Sequence, residues 1–170
     1  MKQTAKPMSK LRSNESGFTL VEIAIVGAII GIAAAVSVPS FLQMYAKHEL
    51  YQATTSLYNR LVLARSSAIS RNILIAATPA SVPAGLDTVA FTAPLSTEIL
   101  PQNVRFITPL PVNPLGFTPR GLSTTPLAVQ TVQLQSTRDS NLIYTISLMP
   151  SGKVTWCRRA INPCTINETS

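Results

Sequence analysis

The chain has 170 residues, with 14 Lys and Arg against 7 Asp and Glu and a net charge of +7. That length suits one domain plus an anchor and excludes two large domains. Charged residues make up only 12% of the chain, and Ser, Thr, Pro and Asn fill the polar positions, a texture that fits a turn-rich exported β domain and argues against a helical cytoplasmic enzyme.

The first seventeen residues hold Lys2, Lys6, Lys10 and Arg12 against Glu15, a net of +3, and the remainder has ten basic against six acidic side chains, a net of +4. An apolar run follows from Phe18 to Val38, in which Glu22 is the only ionisable side chain. About twenty helical residues match the ~30 Å hydrocarbon core of a bilayer. The basic stretch before the run should stay cytoplasmic, so the chain leads outward. A cleaved secretory signal, cut after Ala33-Ala34-Ala35 or near Ser37, has a shorter apolar region of ~7–15 residues and no acid. A plain single-pass anchor leaves Glu22 without a purpose, although a carboxylate in hydrocarbon costs a few kcal/mol. Cleavage after Gly17 supplies one. Phe18 then carries a new positive amine four residues before Glu22, about one helical turn away on the same face. Glu22 can neutralise that amine or the amine of a neighbouring copy, and an unpaired buried charge would penalise any other axial register. Gly27 and Gly31 form a GxxxG spacing that permits close helix approach, and Pro39 is placed to kink or loosen the helix.

The segment Gly17-Phe18-Thr19-Leu20-Val21-Glu22, with its apolar continuation through Pro39, resembles the class III signal of type IV pilins and type II secretion pseudopilins. The resemblance implies cleavage between Gly17 and Phe18 by a prepilin peptidase, N-methylation of Phe18, and assembly through Glu22 with other pilins or pseudopilins in a filament. It also implies a single-pass bacterial inner-membrane protein with a cytoplasmic N-terminus and a periplasmic globular domain. A leader of seventeen residues is on the long side for the shorter-leader pilin class.

Beyond Pro39, Leu50, Leu57, Leu61, Ala64 and Ala68 recur at helical spacing, with Tyr51, Tyr58, Val62 and Ile69 widening the stripe. This half-helix should lay one face on a sheet and stop near Arg71-Asn72, with Arg60, Arg65 and Arg71 as a solvated flank. A strand is expected over Ile73–Ala77. Prolines then break up any helix, leaving short strands at Val89–Ala93, Val104–Thr108 and Leu115–Thr118 and a surface loop over 108–126. The clearest alternation comes last: Ala128–Ser136, a turn at 137–141, Leu142–Leu148, a turn at 150–152, and Lys153–Cys157. The expected fold class is α+β, a long N-terminal helix packed on a small antiparallel β-sheet. Its parts are a leader (1–17), a transmembrane and assembly half-helix (18–45), and a globular domain (46–170) made of an amphipathic half-helix (46–72) and a sheet region (73–170). Leu63-Ala64-Arg65-Ser66-Ser67-Ala68-Ile69-Ser70-Arg71-Asn72, Leu115-Gly116-Phe117-Thr118-Pro119-Arg120-Gly121 and Gly152-Lys153-Val154 resemble motifs of the GspH/FimT family, the H-type minor pseudopilins and FimT-like minor pilins. Ser67 stands where that family usually has an acid.

No enzyme site is expected. His48 has no Cys or Ser partner at a recognisable spacing, and neither a phosphate-binding glycine loop nor a metal cluster is present, so no cofactor is implied. Cys157 and Cys164 form a disulfide if the domain is exported and are free thiols otherwise. Lys153, Arg158 and Arg159 lie around Trp156. In a closed loop they could grip DNA phosphates with Trp156 stacking on bases, and some FimT-like pilins bind DNA through a C-terminal Gly-Arg-x-Arg motif. Here the comparable place reads Gly152-Lys153-Val154-Thr155. The favoured reading of this end is structural: a disulfide-closed loop, solvated arginines and a core Trp.

Overall fold

The computed structural model describes residues 17–83 and 85–165, and for residues 36–39 the backbone alone. The leader residues 1–16, with their basic cluster, lie outside the described residues, as does the side chain of Pro39. The order of elements is one helix, α1 (Leu20–Arg71), followed by eight strands: β1 (Ile75–Ala80), β2 (Thr88–Phe91), β3 (Glu98–Ile99), β4 (Val104–Phe106), β5 (Leu115–Phe117), β6 (Gln130–Ser136), β7 (Ile143–Leu148) and β8 (Val154–Cys157). The chain divides into two compact units between Pro39 and Ser40.

Both ends of α1 follow local chemistry. At its start, Thr19 Oγ1 accepts the Glu22 N–H at 3.2 Å, and the Thr19 carbonyl accepts from Ile23 N–H at 3.2 Å. Thr19 is therefore the N-cap and Glu22 the third helical residue, the Thr-x-x-Glu spacing of a capping box. At its end, Asn72 adopts φ 53°, while Ile73 N–H reaches the Ala68 carbonyl and Asn72 N–H the Ile69 carbonyl. Those two bonds define a Schellman cap, with Asn supplying the left-handed residue that is usually Gly. The cap takes up Asn72 and Ile73, and β1 begins at Ile75 and not at the expected Ile73.

In the first unit every described side chain, from Gly17 to Ala35, is exposed. In the second, Ala46, Leu50, Ala53, Leu57, Leu61, Ala64 and Ala68 are buried, spaced three or four apart as one helical stripe. They meet inward residues of both sheets, among them Ile75, Val89, Phe117, Leu134, Ile146 and Trp156.

The expected single sheet is two four-stranded antiparallel sheets, ordered β3-β2-β1-β5 and β4-β6-β7-β8. Alternation shows which residues face inward, but it does not choose partners. β1 pairs with β2 and also with the distant β5, Ile75 opposite Phe117. Pro79 is tolerated within β1 because β5 reaches only Ile75–Ala77, leaving that end of the strand an edge. The two sheets are fastened by Asp87, which is fully buried. Its carboxylate accepts from Val82 N–H at 3.0 Å, Phe106 N–H at 2.7 Å and the Arg105 guanidinium at 3.0 Å.

Candidate functional site

Gly17 and Phe18 precede the helix and are exposed, Phe18 at 77%. Because α1 begins at Leu20, Phe18 and Glu22 do not share a helical face in this uncleaved chain. The expected pairing of the two belongs to the cleaved chain, whose new Phe18 amine the uncleaved chain does not carry. Glu22 has a local role as well, since an acid in the first turn complements the partial positive charge of the helix start. Sequence reasoning missed Thr19, although Thr19-x-x-Glu22 is a readable capping signal. At Gly27 and Gly31 an added Cβ would meet nothing within 4 Å. Four residues apart on one face, they leave a shallow notch with no occupant in the single chain. The helix is long and apolar enough to cross a membrane.

At the other end of the chain Cys157 and Cys164 are disulfide-bonded, with Cα atoms 5.9 Å apart. The loop they close does not project into solvent. It lies across the outer face of the second sheet, where Thr145, Ser147 and Thr155 are fully buried. Thr145 Oγ1 donates to the Arg159 carbonyl at 2.7 Å, Cys164 N–H donates to Ser147 Oγ at 2.9 Å, and Thr155 Oγ1 donates to the Cys164 carbonyl. Hydroxyls on the outward positions of β7 and β8 thus receive the loop backbone, which removes the cost of burying them unpaired.

Trp156 is 4% exposed and contacts Tyr51 edge-on at 5.6 Å and Tyr144 at 6.1 Å. It is a core residue, unable to stack on bases, which corrects that part of the DNA reading. Arg158 is exposed but rests on the Tyr51 ring at 5.1 Å and the Trp156 ring at 6.0 Å. Burial pushes the neighbouring Tyr144 hydroxyl above its ordinary pKa of 10.0, with Arg158 pulling the other way and Tyr51 adding to the rise. Lys153 sits at the opposite end of β8, about 16 Å from Arg158 at ~3.3 Å per residue. The three basic residues therefore do not form one patch.

The arginine flank of α1 also differs from expectation. Arg60 pairs with Glu98 at 3.0 Å. Arg65 Nε donates to the Gly121 carbonyl at 2.9 Å and its Nη2 to the Ser151 carbonyl at 3.4 Å, tying the helix to two glycine turns; Arg71 is exposed as expected. His48 is exposed on α1. Among the described residues no three His, Cys, Asp or Glu side chains gather as a metal site.

Residues 12–38 match the prokaryotic N-terminal methylation motif. The type IV major pilin PilA of Myxococcus xanthus (strain DK1622) is 42% identical over 50 residues, which cover 29% of this chain and only 23% of PilA. The match thus spans about a quarter of that relative. The type IV minor pilin FimU of Pseudomonas aeruginosa (strain PAO1) superposes with a TM-score of 0.52 at 19% identity, covering 63% of this chain and 87% of FimU. The minor pseudopilin EpsH from the type 2 secretion system of Vibrio cholerae gives a TM-score of 0.46 at 12% identity over 65% of this chain and 97% of EpsH, below the level that establishes a shared fold. The N-terminal motif and the FimU-like α+β fold make this chain pilin-like.

Proposed function

We propose that this pilin-like chain is a minor pilin or pseudopilin of the GspH/FimT kind, a structural subunit of a type II secretion pseudopilus or a type IV pilus. It is made as a precursor, cut between Gly17 and Phe18 by prepilin peptidase and N-methylated on Phe18. Residues 18–45 hold it in the bacterial inner membrane, residues 46–170 lie in the periplasm, and assembly with other pilins or pseudopilins runs through the N-terminal helix. One observation carries this reading: an unbroken row of exposed side chains from Phe18 to Ala35, apolar except for Glu22 and small polar Thr19, opening on the methylation motif. The second unit has its own closed core and does not need that row for folding. After cleavage Glu22 neutralises a Phe18 amine, its own or that of an adjacent subunit.

Glu22→Leu and Glu22→Ala should be processed normally and fail to enter filaments, as read by the mass of the mature N-terminus and by subunit content of sheared filaments. Wild-type incorporation of both variants would remove the register argument. A mature chain that keeps Met1, or begins near Ala35, would remove the pilin reading itself. The alternative, a FimT-like subunit that binds DNA through Lys153, Arg158 and Arg159, draws support from the exposure of all three. It is the weaker reading, because Trp156 is buried and Lys153 is remote. Salt-sensitive duplex binding by the full chain in detergent, lost in the Arg158→Ala/Arg159→Ala double variant, would establish it.

A further inference from the structure

The second unit begins with a bare apolar stretch of α1. Phe41, Leu42, Met44 and Tyr45 are each more than half exposed, whereas Ala46 and Leu50 are buried against the domain. Phe41 and Tyr45 stand four residues apart on one helical face, and Lys47 is exposed just beyond them. Apolar, then aromatic, then basic is the order in which a helix leaves a bilayer, with aromatic rings at headgroup level and long basic side chains reaching above them.

The turn between β6 and β7 lies alongside that stretch. Its Arg138 and Asp139 share a hollow of ≈ 310 Å³ with Leu42, Gln43 and Ala46, and the Arg138 guanidinium carbon is 5.4 Å from the centre of the Tyr45 ring. A bilayer about 40–45 Å thick with a ~30 Å core leaves ~5–8 Å of headgroup region on each side. Phe41 to Tyr45 rises about 6 Å, so with Phe41 at the hydrocarbon edge the turn beside Tyr45 stands at headgroup depth. Arg138 Nε is 3.8 Å from Glu49 Oε2, and the Arg138 side chain is 43% exposed. That separation is longer than a hydrogen bond, and Asn103 Nδ2 holds the same Glu49 carboxylate at 3.0 and 3.2 Å. The acid of the turn is engaged locally, since Asp139 Oδ1 accepts Asn141 N–H at 3.0 Å. Arg158 and Arg159 are exposed at the same end of the second sheet. Cys157 faces Thr145, which sets Arg158 level with Tyr144, close to where the turn ends. Arg158 rests on Tyr51, about 9 Å further along α1 than Tyr45 and within a Debye length of about 10 Å.

We propose that this end of the second unit is a lipid-contact surface, on which Lys47 and Arg138 engage anionic phospholipid headgroups. Arg158 and Arg159 add attraction at longer range. The inference rests on the reading of residues 18–45 as the membrane segment. A bilayer surface is the partner that fits the whole patch: its phosphates match the Arg138 fork, and the lipid below them takes up Phe41, Leu42 and Met44. Residues 40–46 and the turn belong to one compact unit. A membrane that receives the helix as far as Tyr45 therefore meets the turn with no change in the fold. The contact belongs to the subunit in lipid and breaks when the subunit leaves the bilayer.

The test places the full chain in lipid nanodiscs, either of phosphatidylcholine alone or with about 40% phosphatidylglycerol, and follows amide hydrogen exchange over residues 137–142. The attraction of one basic side chain to an anionic surface corresponds to about fivefold, so exchange should be about fivefold slower in the anionic discs. About 1 M NaCl, which shortens the Debye length to about 3 Å, should remove the difference. The Lys47→Gln/Arg138→Gln double variant should lose it. The Lys47→Arg/Arg138→Lys double variant, which alters the same contacts and keeps both charges, should retain it. Four results would overturn the proposal: equal exchange in the two kinds of disc, a difference that survives high salt, a difference retained in the Gln variant, or one lost equally in the charge-keeping variant. A chain that does not enter nanodiscs at all would remove the membrane reading and this proposal with it, whereas entry with equal exchange would remove this proposal alone.

Discussion

Asp87→Asn is the substitution with the most calculable consequence, because every contact of the buried carboxylate is defined. Oδ1 takes the Ser81 hydroxyl at 3.2 Å, Val82 N–H at 3.0 Å and Arg105 at 3.0 Å, and Oδ2 takes Phe106 N–H at 2.7 Å. An amide keeps one oxygen. Its cheaper orientation preserves the Oδ1 set and turns an NH2 toward the Phe106 N–H, leaving two donors face to face in a buried site. Removing one partner of a buried pair costs about 3–5 kcal/mol. The Arg105 side chain is 31% exposed and can regain water, which places the loss near the lower end, about 3 kcal/mol. With a urea m-value of about 2 kcal/mol/M, the midpoint should fall by about 1.5 M. Trp156 is the only tryptophan and is buried, so its fluorescence reports the transition in the full chain in detergent. Acid dependence supplies a second readout. Burial raises the Asp87 pKa, but the Phe106 and Val82 amides and Arg105 outweigh it, and the net value lies below 3.8. The folded pKa being the lower one, the contribution is complete above 3.8 and disappears as pH falls through the folded value. The variant should lack that part of the acid destabilisation. A midpoint drop under about 0.5 M, or an unchanged acid profile, would refute the assignment of Asp87 as the fastening between the sheets.

Two further predictions concern the turns and the terminal loop. Gly152 has φ +76°, and a Cβ there would lie 1.8 Å from the Gly121 carbonyl that Arg65 also holds; Gly152→Ala should cost about 2–3 kcal/mol, and an unchanged urea midpoint would contradict it. Cys157→Ser opens a bridge between residues seven apart, worth about 2.4 kcal/mol in loop entropy. It should also speed exchange of the Cys164 amide; unchanged exchange would show that the hydroxyl contacts alone hold the loop.

The sequence was most readable where one element met one solvent. The Leu50, Leu57, Leu61, Ala64 and Ala68 stripe of α1 and the inward residues of β6 followed from spacing alone, because each element has one dry side and one wetter side, whereas Val62 and Ile69, read as widening the stripe, are exposed. The stop of α1 at Arg71 was legible too, although its cap falls on Asn72 and not on a glycine. Strand partnership was not legible: β1 finds β5 across forty residues, and only tertiary packing decides that. The two-residue β3 carries too little pattern to be seen. Arg60 and Arg65 looked like a solvated flank because their partners, Glu98 and the Gly121 carbonyl, lie in loops whose positions no helical periodicity contains. The disulfide was foreseeable from two cysteines on the condition of export. That its loop would fold back on Thr145, Ser147 and Thr155 was also written in the strands, as hydroxyl residues where an exposed face more often carries charge.

The two ends of the chain differ in what their side chains find around them. In the second unit, buried polar side chains are met from within: Asp87 by four neighbours, Thr145 and Ser147 by the terminal loop. The segment from Phe18 to Ala35 has nothing of this kind. Its apolar side chains face outward on every side of the helix, and at ~25 cal/mol per Å² such a surface cannot remain in water. Lipid satisfies the apolar part and leaves Glu22 costly; a neighbouring helix that brings a free amine satisfies both. The glycine notch at Gly27 and Gly31 allows that neighbour to come close. If the chain is cut after Gly17 as proposed, the energy of this one side chain favours assembly over simple anchoring, and for that reason Glu22→Leu, which is cheaper than Glu22 in lipid, should improve anchoring while abolishing assembly.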